Sequence, residues 1–137
     1  MNPADITAAA PARWSRDWAE AWARGWIAAW NARDVDAVLA RFADNVEFRS
    51  PKAAVITGSG TVRGKADLAA YWHAALGQIT VLRFTLDAVN WDGASRTLTI
   101  RYIAELGPQR LLAAEILDLD DNGLARIGTA LYGAPAS

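Results

Sequence analysis

The chain has 137 residues, which predicts one domain with a sizeable buried core. Its 14 basic and 15 acidic residues nearly balance, which argues against binding to nucleic acid or to an anionic membrane. It has no cysteine and one histidine, which excludes disulfides, thiol catalysis and metal sites built from several of these residues.

The N-terminal segment, MNPADITAAAPAR, shows neither a helical nor a strand pattern. It lacks the basic and apolar regions of a secretory signal, and no apolar run approaches the 18 residues of a membrane span. We therefore expect a flexible tail over residues 1–12 and a cytoplasmic location.

A tryptophan occurs at every fourth position of the next segment, WSRDWAEAWARGWIAAWNARD. The spacing predicts a helix over about 13–31. Because a helix turns 100° per residue, each step of four drifts by about 40°, and the rings spread over roughly 160° of its surface. Such a helix needs a wide concave partner. The five residues concerned are Trp14, Trp18, Trp22, Trp26 and Trp30.

Three further elements precede the change to a strand pattern. Asp34 is a good N-cap for a short helix that we expect to run through Phe42. The alternation in NVEFRSP predicts a half-buried strand, and KAAVITGSGTVRG predicts a loop that could contain a short strand. A third helix, KADLAAYWHAALG, is expected to end at Gly77.

After Gly77 the apolar period becomes two, and four strands are predicted. Turn signals separate them at Asp92-Gly93, Gly107-Pro108 and Asp121-Asn122-Gly123. Helices followed by a strand meander indicate an α+β domain with helices on one face of the sheet. The expected strands are Ile79–Asp92, Ser95–Leu106, Arg110 to about Asp120, and one ending near Tyr132.

The Gly107-Pro108 turn suggests that facing residues have numbers adding to about 216, which would pair Arg101 with Glu115 on an otherwise apolar face. Two interpretations stay open: a self-compensating ion pair, or a pair that reads or transforms a ligand. Beside a guanidinium, Glu115 should stay ionised. The opposite face, with Ile100 and Tyr102, is also apolar, which predicts a homodimer interface.

Three stretches together resemble one protein family: GWIAAWNARDVDAVLARFADNVEFRSP, then VRGKADLAAYW, and the meander ending in ALYG. They are similar to the SnoaL-like branch of the nuclear transport factor 2-like superfamily, which includes ketosteroid isomerases. The resemblance implies a SnoaL-like domain over 13–134. It also implies a cone-shaped antiparallel sheet around the long N-terminal helix, two further helices, pairing of subunits through the sheet, and a pocket for a small hydrophobic molecule.

The resemblance also places functional positions. Trp26 stands where ketosteroid isomerases have a tyrosine donor, Ser50 where they have the base, and Glu115 where they have a protonated aspartate, so their isomerase reaction is not expected. An epoxide-hydrolase arrangement would need a second carboxylate at Ile103. We expect Arg101 and Glu115 to be the catalytic pair. The expected ligand contacts are Trp22, Trp26, Trp30, Phe48, Ser50, Trp72, Phe84, Thr99 and Tyr132.

The resulting functional prediction is a protein that binds a small hydrophobic molecule in an aromatic pocket, with transformation of isomerase, cyclase or hydrolase type as one option. The alternative is a non-catalytic ligand-binding or protein-interaction domain of the same fold. We expect no metal, no cofactor, no nucleic acid and no membrane partner.

Overall fold

The structure is a computed structural model that describes residues 10–136. Most of the expected tail over residues 1–12 lies outside this range, and the domain limits of 13–134 stay a prediction. Within the described range, no helix is both long and apolar enough to span a membrane.

The tryptophan helix, α1, spans Arg16–Asn31 and begins three residues later than predicted. Trp14 has a φ of 72°, a left-handed conformation that cannot continue into a right-handed helix. Ser15 then caps α1, because its side chain accepts a hydrogen bond from the Trp18 backbone N–H at 3.1 Å.

The second helix, α2, spans Val35–Leu39 and is capped by Asp34 as predicted. Its expected extension to Phe42 is wrong, because Phe42 already begins strand β1 (Phe42–Arg49) and pairs with Ala125. The bond from the Ala125 backbone N–H to the Arg41 carbonyl, at 2.9 Å, fixes this early change to an extended chain.

A further helix, α3, spans Pro51–Thr57, where the sequence pattern predicted a loop. Ser50 caps it by accepting from the Lys52 N–H, Pro51 occupies the first turn, and Gly58 ends it at a φ of 83°. The short strand β2 (Thr61–Arg63) follows. The next helix, α4 (Lys65–Gly77), confirms the predicted third helix.

Four strands complete the described part of the chain in the predicted order: β3 (Leu82–Asp92), β4 (Thr97–Leu106), β5 (Gln109–Leu119) and β6 (Ala125–Pro135). Six strands form one sheet in the order β2-β1-β6-β5-β4-β3, and α1 packs against β3 on its inner face. All neighbours are antiparallel except β1 and β6, which are parallel, so the expected antiparallel sheet is confirmed apart from this one pair. The α+β class is confirmed.

The β4–β5 hairpin differs from the predicted register by one residue. Only Gly107 and Pro108 lie in the loop, so Leu106 faces Gln109, and further along Arg101 faces Ala114 while Ile100 faces Glu115. The φ of 60° at Gly107 followed by a proline, which cannot take a positive φ, fits a two-residue type II′ turn. The predicted pairing of Arg101 with Glu115 is therefore wrong.

The register shift also exchanges the faces of β4, because successive side chains of a strand point to opposite sides. Ile100 and Tyr102, expected on the outer face, are buried in the core at 0% and 2% exposure. Arg101 is exposed on the outer face instead. The prediction that a dimer interface buries Ile100 and Tyr102 is therefore wrong.

The tryptophans divide between the two ends of α1. Trp14 and Trp18 pack with Trp91 of β3, and the Trp91 Nε1–H donates to the Trp14 carbonyl at 3.0 Å. Trp26 and Trp30 lie at the other end, buried against the sheet and α4. Indole rings at both ends of α1 thus contact the sheet.

Candidate functional site

A small cavity lies between the C-terminal half of α1, helix α4 and the inner face of the sheet. Its volume is about 50 Å³, room for about three or four water molecules. Eight of the predicted site residues line it: Trp26, Trp30, Phe48, Ser50, Trp72, Phe84, Glu115 and Tyr132.

Aromatic rings form most of the cavity wall. Trp26 stacks on Phe84 with centroids 5.7 Å apart and meets Tyr102 edge to face at 5.2 Å. Trp30 meets Trp72 edge to face at 5.1 Å. These contacts join helices and sheet around the cavity and hold the rings in fixed orientations.

Two indole groups of this wall have no hydrogen-bond partner. The Nε1–H groups of Trp26 and Trp30 are buried without an acceptor among the described residues. By contrast, the Trp22 Nε1–H donates to the Gly123 carbonyl at 3.1 Å. A buried donor that lacks an acceptor costs stability, so two of them beside one cavity form an unusual feature of this site.

Glu115 of β5 is the one acidic side chain among the described residues that line the cavity, and it is 3% exposed. No ion pair or hydrogen bond to its carboxyl is found within residues 10–136. Burial without a charged partner raises the pKa of Glu115 to about 8, so the carboxyl is mostly neutral at pH 7.

This finding corrects the expected protonation state of Glu115. The sequence-based prediction kept Glu115 ionised because it placed a guanidinium beside it, whereas Arg101 lies on the opposite face of the sheet. A neutral carboxyl carries an O–H and can donate a hydrogen bond, which a carboxylate cannot do.

Three tyrosines surround this carboxyl, and the sequence analysis named only Tyr132 among the site residues. Burial raises the pKa values of Tyr71, Tyr102 and Tyr132, and the nearby charge of Glu115 contributes in the same direction. All three hydroxyls therefore stay neutral at pH 7. The hydroxyls of Tyr102 and Tyr132 interact with each other, and that of Tyr71 interacts with Ser50.

Ser50 occupies the position where the resemblance places a base, but its side chain is already engaged. Its Oγ accepts the Lys52 N–H at 3.2 Å to cap α3, and it also interacts with Tyr71. These contacts give Ser50 a role in positioning α3 and the Tyr71 ring at the cavity.

Three predicted site residues do not reach the cavity. Trp22 packs against Phe42, away from the lining. Thr99 and Arg101 are odd-numbered residues of β4 and lie on the outer face, because the even-numbered side chains point inward. The expected placement of these three residues is wrong. The predicted Arg101–Glu115 pair is replaced by a lone Glu115.

Lys52 and Tyr102 were missed by the sequence analysis. The one-residue difference in register that places Arg101 on the outer face places Tyr102 at the cavity. A turn of only two residues, Gly107 and Pro108, was the sequence signal that could have predicted this register. Lys52 reaches the cavity because α3 turns it inward, and its Nζ lies 4.6 Å from the centroid of the Tyr132 ring. The signal for α3 was the Ser50-Pro51 start.

Comparison with known proteins agrees with this architecture. The model of the SnoaL-like domain matches residues 23–127. A SnoaL-like protein of unknown function from Burkholderia thailandensis is 32% identical, with 88% of this chain and 98% of that chain covered and a TM-score of 0.79. No curated protein matches the sequence.

Two more distant structures share the fold. A putative ketosteroid isomerase from Kribbella flavida is 21% identical, with 87% of this chain and 80% of that chain covered and a TM-score of 0.66. TerC, co-crystallised with polyporic acid, is 16% identical, with 84% of this chain and 91% of that chain covered and a TM-score of 0.71. With the family model spanning most of the chain, this protein belongs to the SnoaL-like family.

Proposed function

We propose that this protein binds a small hydrophobic molecule through a carbonyl or phenolic oxygen, to which neutral Glu115 donates a hydrogen bond. The observation that carries the proposal is the unpaired, buried Glu115 carboxyl beside the cavity. The cavity is large enough for such a polar head, and its aromatic wall suits an adjoining apolar group.

The unpaired indole of Trp26 supports the same proposal. Trp26 stands at the position where the resemblance places a tyrosine donor, and its N–H lacks an acceptor. Rearrangement of its ring on binding would give the ligand oxygen a second donor. Donors of this kind stabilise an oxygen that becomes negatively charged during enolisation, as in isomerase or cyclase chemistry.

A second candidate function is ligand binding without turnover. Enolisation also needs a base, and the described lining offers only Lys52 and the engaged Ser50 beside Glu115.

A third candidate is a protein-interaction domain whose cavity is filled, and the small cavity volume favours it. The unpaired Glu115 carboxyl argues for a ligand, because a purely structural core gains nothing from it.

A matched pair of probes tests the proposal: 2-acetonaphthone and 2-ethylnaphthalene, which differ in the carbonyl group. At pH 6 we expect saturable quenching of tryptophan fluorescence and about tenfold tighter binding of the ketone, the effect of one buried hydrogen bond. Glu115→Gln retains an N–H donor and should keep most of this preference, whereas Glu115→Leu should abolish it. Equal affinity of the wild-type protein for both probes would refute the proposal.

Two further measurements test whether Trp26 donates to the ligand and whether the protein catalyses enolisation. Trp26→Phe should weaken the preference for the ketone, whereas Trp22→Phe should not, because the Trp22 N–H is bonded to Gly123. Exchange of the acetyl protons of 2-acetonaphthone with deuterated water, followed by NMR, reports enolisation. Accelerated exchange that depends on Glu115 indicates catalysis, and binding without it indicates the non-catalytic function.

We also propose a homodimer through the outer face of the sheet. Leu112 and Leu131 are 47% and 49% exposed there, beside the half-buried Ile103 and Ile116. Leu131→Asp should convert a dimer to a monomer in light scattering at micromolar concentration. Val81→Asp is the control, since Val81 is similarly exposed at 51% but precedes β3. A wild-type monomer would contradict the proposal.

A further inference from the structure

An apolar groove adjoins the cavity. This groove has a volume of about 260 Å³ and lies between α3, the end of α4 and the β4–β5 turn. Four residues line both spaces, namely Lys52, Ala75, Ile79 and Leu106. The cavity and the groove together reach the lower end of the range, roughly 300–1,000 Å³, that is usual for small-molecule pockets.

The groove is apolar although it faces solvent. Val55 of α3 is 86% exposed, the largest exposure among the large hydrophobic side chains of the described residues, and Ile56 beside it is half-buried. Gln78 and Gln109 provide neutral polar edges. An exposed apolar groove that shares four wall residues with the cavity is suited to the apolar body of a ligand whose head lies inside the cavity.

Lys52 stands where the two spaces meet, and it is the one charged side chain among the described residues that line the groove. It forms no salt bridge with any residue from 10 to 136, whereas Lys65, the other lysine of the chain, pairs with Asp44 at 3.9 Å. Its Nζ lies over the Tyr132 ring, whose hydroxyl interacts with Tyr102 inside the cavity. An unpaired ammonium group at this position is available to an acidic group of the ligand.

We propose that the ligand is an elongated amphipathic acid whose apolar body occupies the groove and whose carboxylate or sulfonate group binds Lys52. This inference rests on the proposed function, because the same molecule carries the oxygen that enters the cavity. It adds the substrate class, an aryl or alkyl acid, and it makes Lys52 and Val55 the residues that determine specificity.

Two fluorescent probes with the same skeleton test this proposal: 8-anilinonaphthalene-1-sulfonate, which is anionic, and N-phenyl-1-naphthylamine, which is neutral. We expect the wild-type protein to bind the sulfonate more tightly. Lys52→Met should lower the affinity for the sulfonate by about five- to tenfold and leave that for the neutral probe within about twofold. Lys52→Arg should restore the preference, and the control Lys65→Met should behave as wild type.

A second pair of variants locates the binding in the groove. Val55→Asp places a negative charge in the groove and removes apolar contact there. It should therefore lower the affinity for both probes, and that for the sulfonate by the larger factor. Val81→Asp, outside the groove, should change neither. If the affinity for the sulfonate is the same in Lys52→Met as in the wild type, or if Val55→Asp has no effect, the proposal is overturned.

The outcomes also separate this inference from the proposed function. A preference for 2-acetonaphthone that depends on Glu115, together with indifference to Lys52, would overturn the inference alone. Saturable binding of none of the four probes would overturn both.

Discussion

The pKa of Glu115 predicts how the stability of the protein depends on pH. In the folded state burial raises this pKa to about 8, whereas in the unfolded chain it returns to the usual 4.5. Between these two values the folded protein holds a proton that the unfolded chain has released. The contribution of Glu115 to the free energy of unfolding is therefore fully present below about pH 4.5, and it is lost as the pH rises towards 8.

The size of this loss follows from the difference between the two pKa values. At about 1.36 kcal/mol for each pKa unit, the difference between 4.5 and 8 corresponds to about 5 kcal/mol. Glu115→Gln keeps the shape and removes the titration. We expect this variant to be more stable than the wild type by less than about 1 kcal/mol at pH 5 and by about 4 kcal/mol at pH 8.

Urea unfolding followed by tryptophan fluorescence measures this difference at several pH values between 5 and 8. Subtracting the Glu115→Gln curve from the wild-type curve removes the contribution of every other titrating group. Glu105→Gln is the control, because Glu105 forms a surface ion pair with Arg110 at 3.2 Å and should change the pH dependence little. Parallel curves for the wild type and Glu115→Gln would refute the assignment of a neutral buried carboxyl.

Two further substitutions test the packing that holds the site in place. Asn31 joins the end of α1 to β3 by accepting from the Phe84 N–H at 2.7 Å and donating to the Phe84 carbonyl at 2.9 Å, so Asn31→Ala should lower the free energy of unfolding by about 1–3 kcal/mol. An unchanged urea midpoint would show that water replaces both bonds. A Cβ at Gly128 would lie 3.3 Å from Phe42 Cε1 and 3.5 Å from Glu115 Oε1, so Gly128→Ala should destabilise the protein by about 1 kcal/mol. Equal or higher stability in the same measurement would show that Phe42 and Glu115 can move apart.

Local signals in the sequence predicted most of the elements, because these elements depend on nearby residues. The fourfold tryptophan spacing gave the first long helix and its wide buried face, and the Asp92-Gly93 signal gave a hairpin. Helix α3 was missed although Ser50-Pro51 is a good start, because a seven-residue helix shows too little periodicity.

Side-chain directions on the strands were harder to predict, since each depends on counting residues from a turn. One residue of error at Gly107-Pro108 exchanged Arg101 for Tyr102 at the cavity. A bulge between Leu86 and Ala88 changes the inward parity of β3 in the same way, and nothing in the alternating pattern marks it. Phe84 was placed correctly because it precedes the bulge.

The groups that define the site are unfavourable for folding, and the sequence pattern of apolar residues does not reveal them. Each works against folding: the Glu115 carboxyl is buried without a partner, and the Trp26 and Trp30 N–H groups lack acceptors. Elsewhere on the same framework, Trp22 and Trp91 bond their N–H groups to backbone carbonyls. Because the unpaired groups gather at one cavity, and not along the whole tryptophan helix, general looseness of the core does not explain them. This grouping supports the proposed ligand, whose oxygen would accept from these donors.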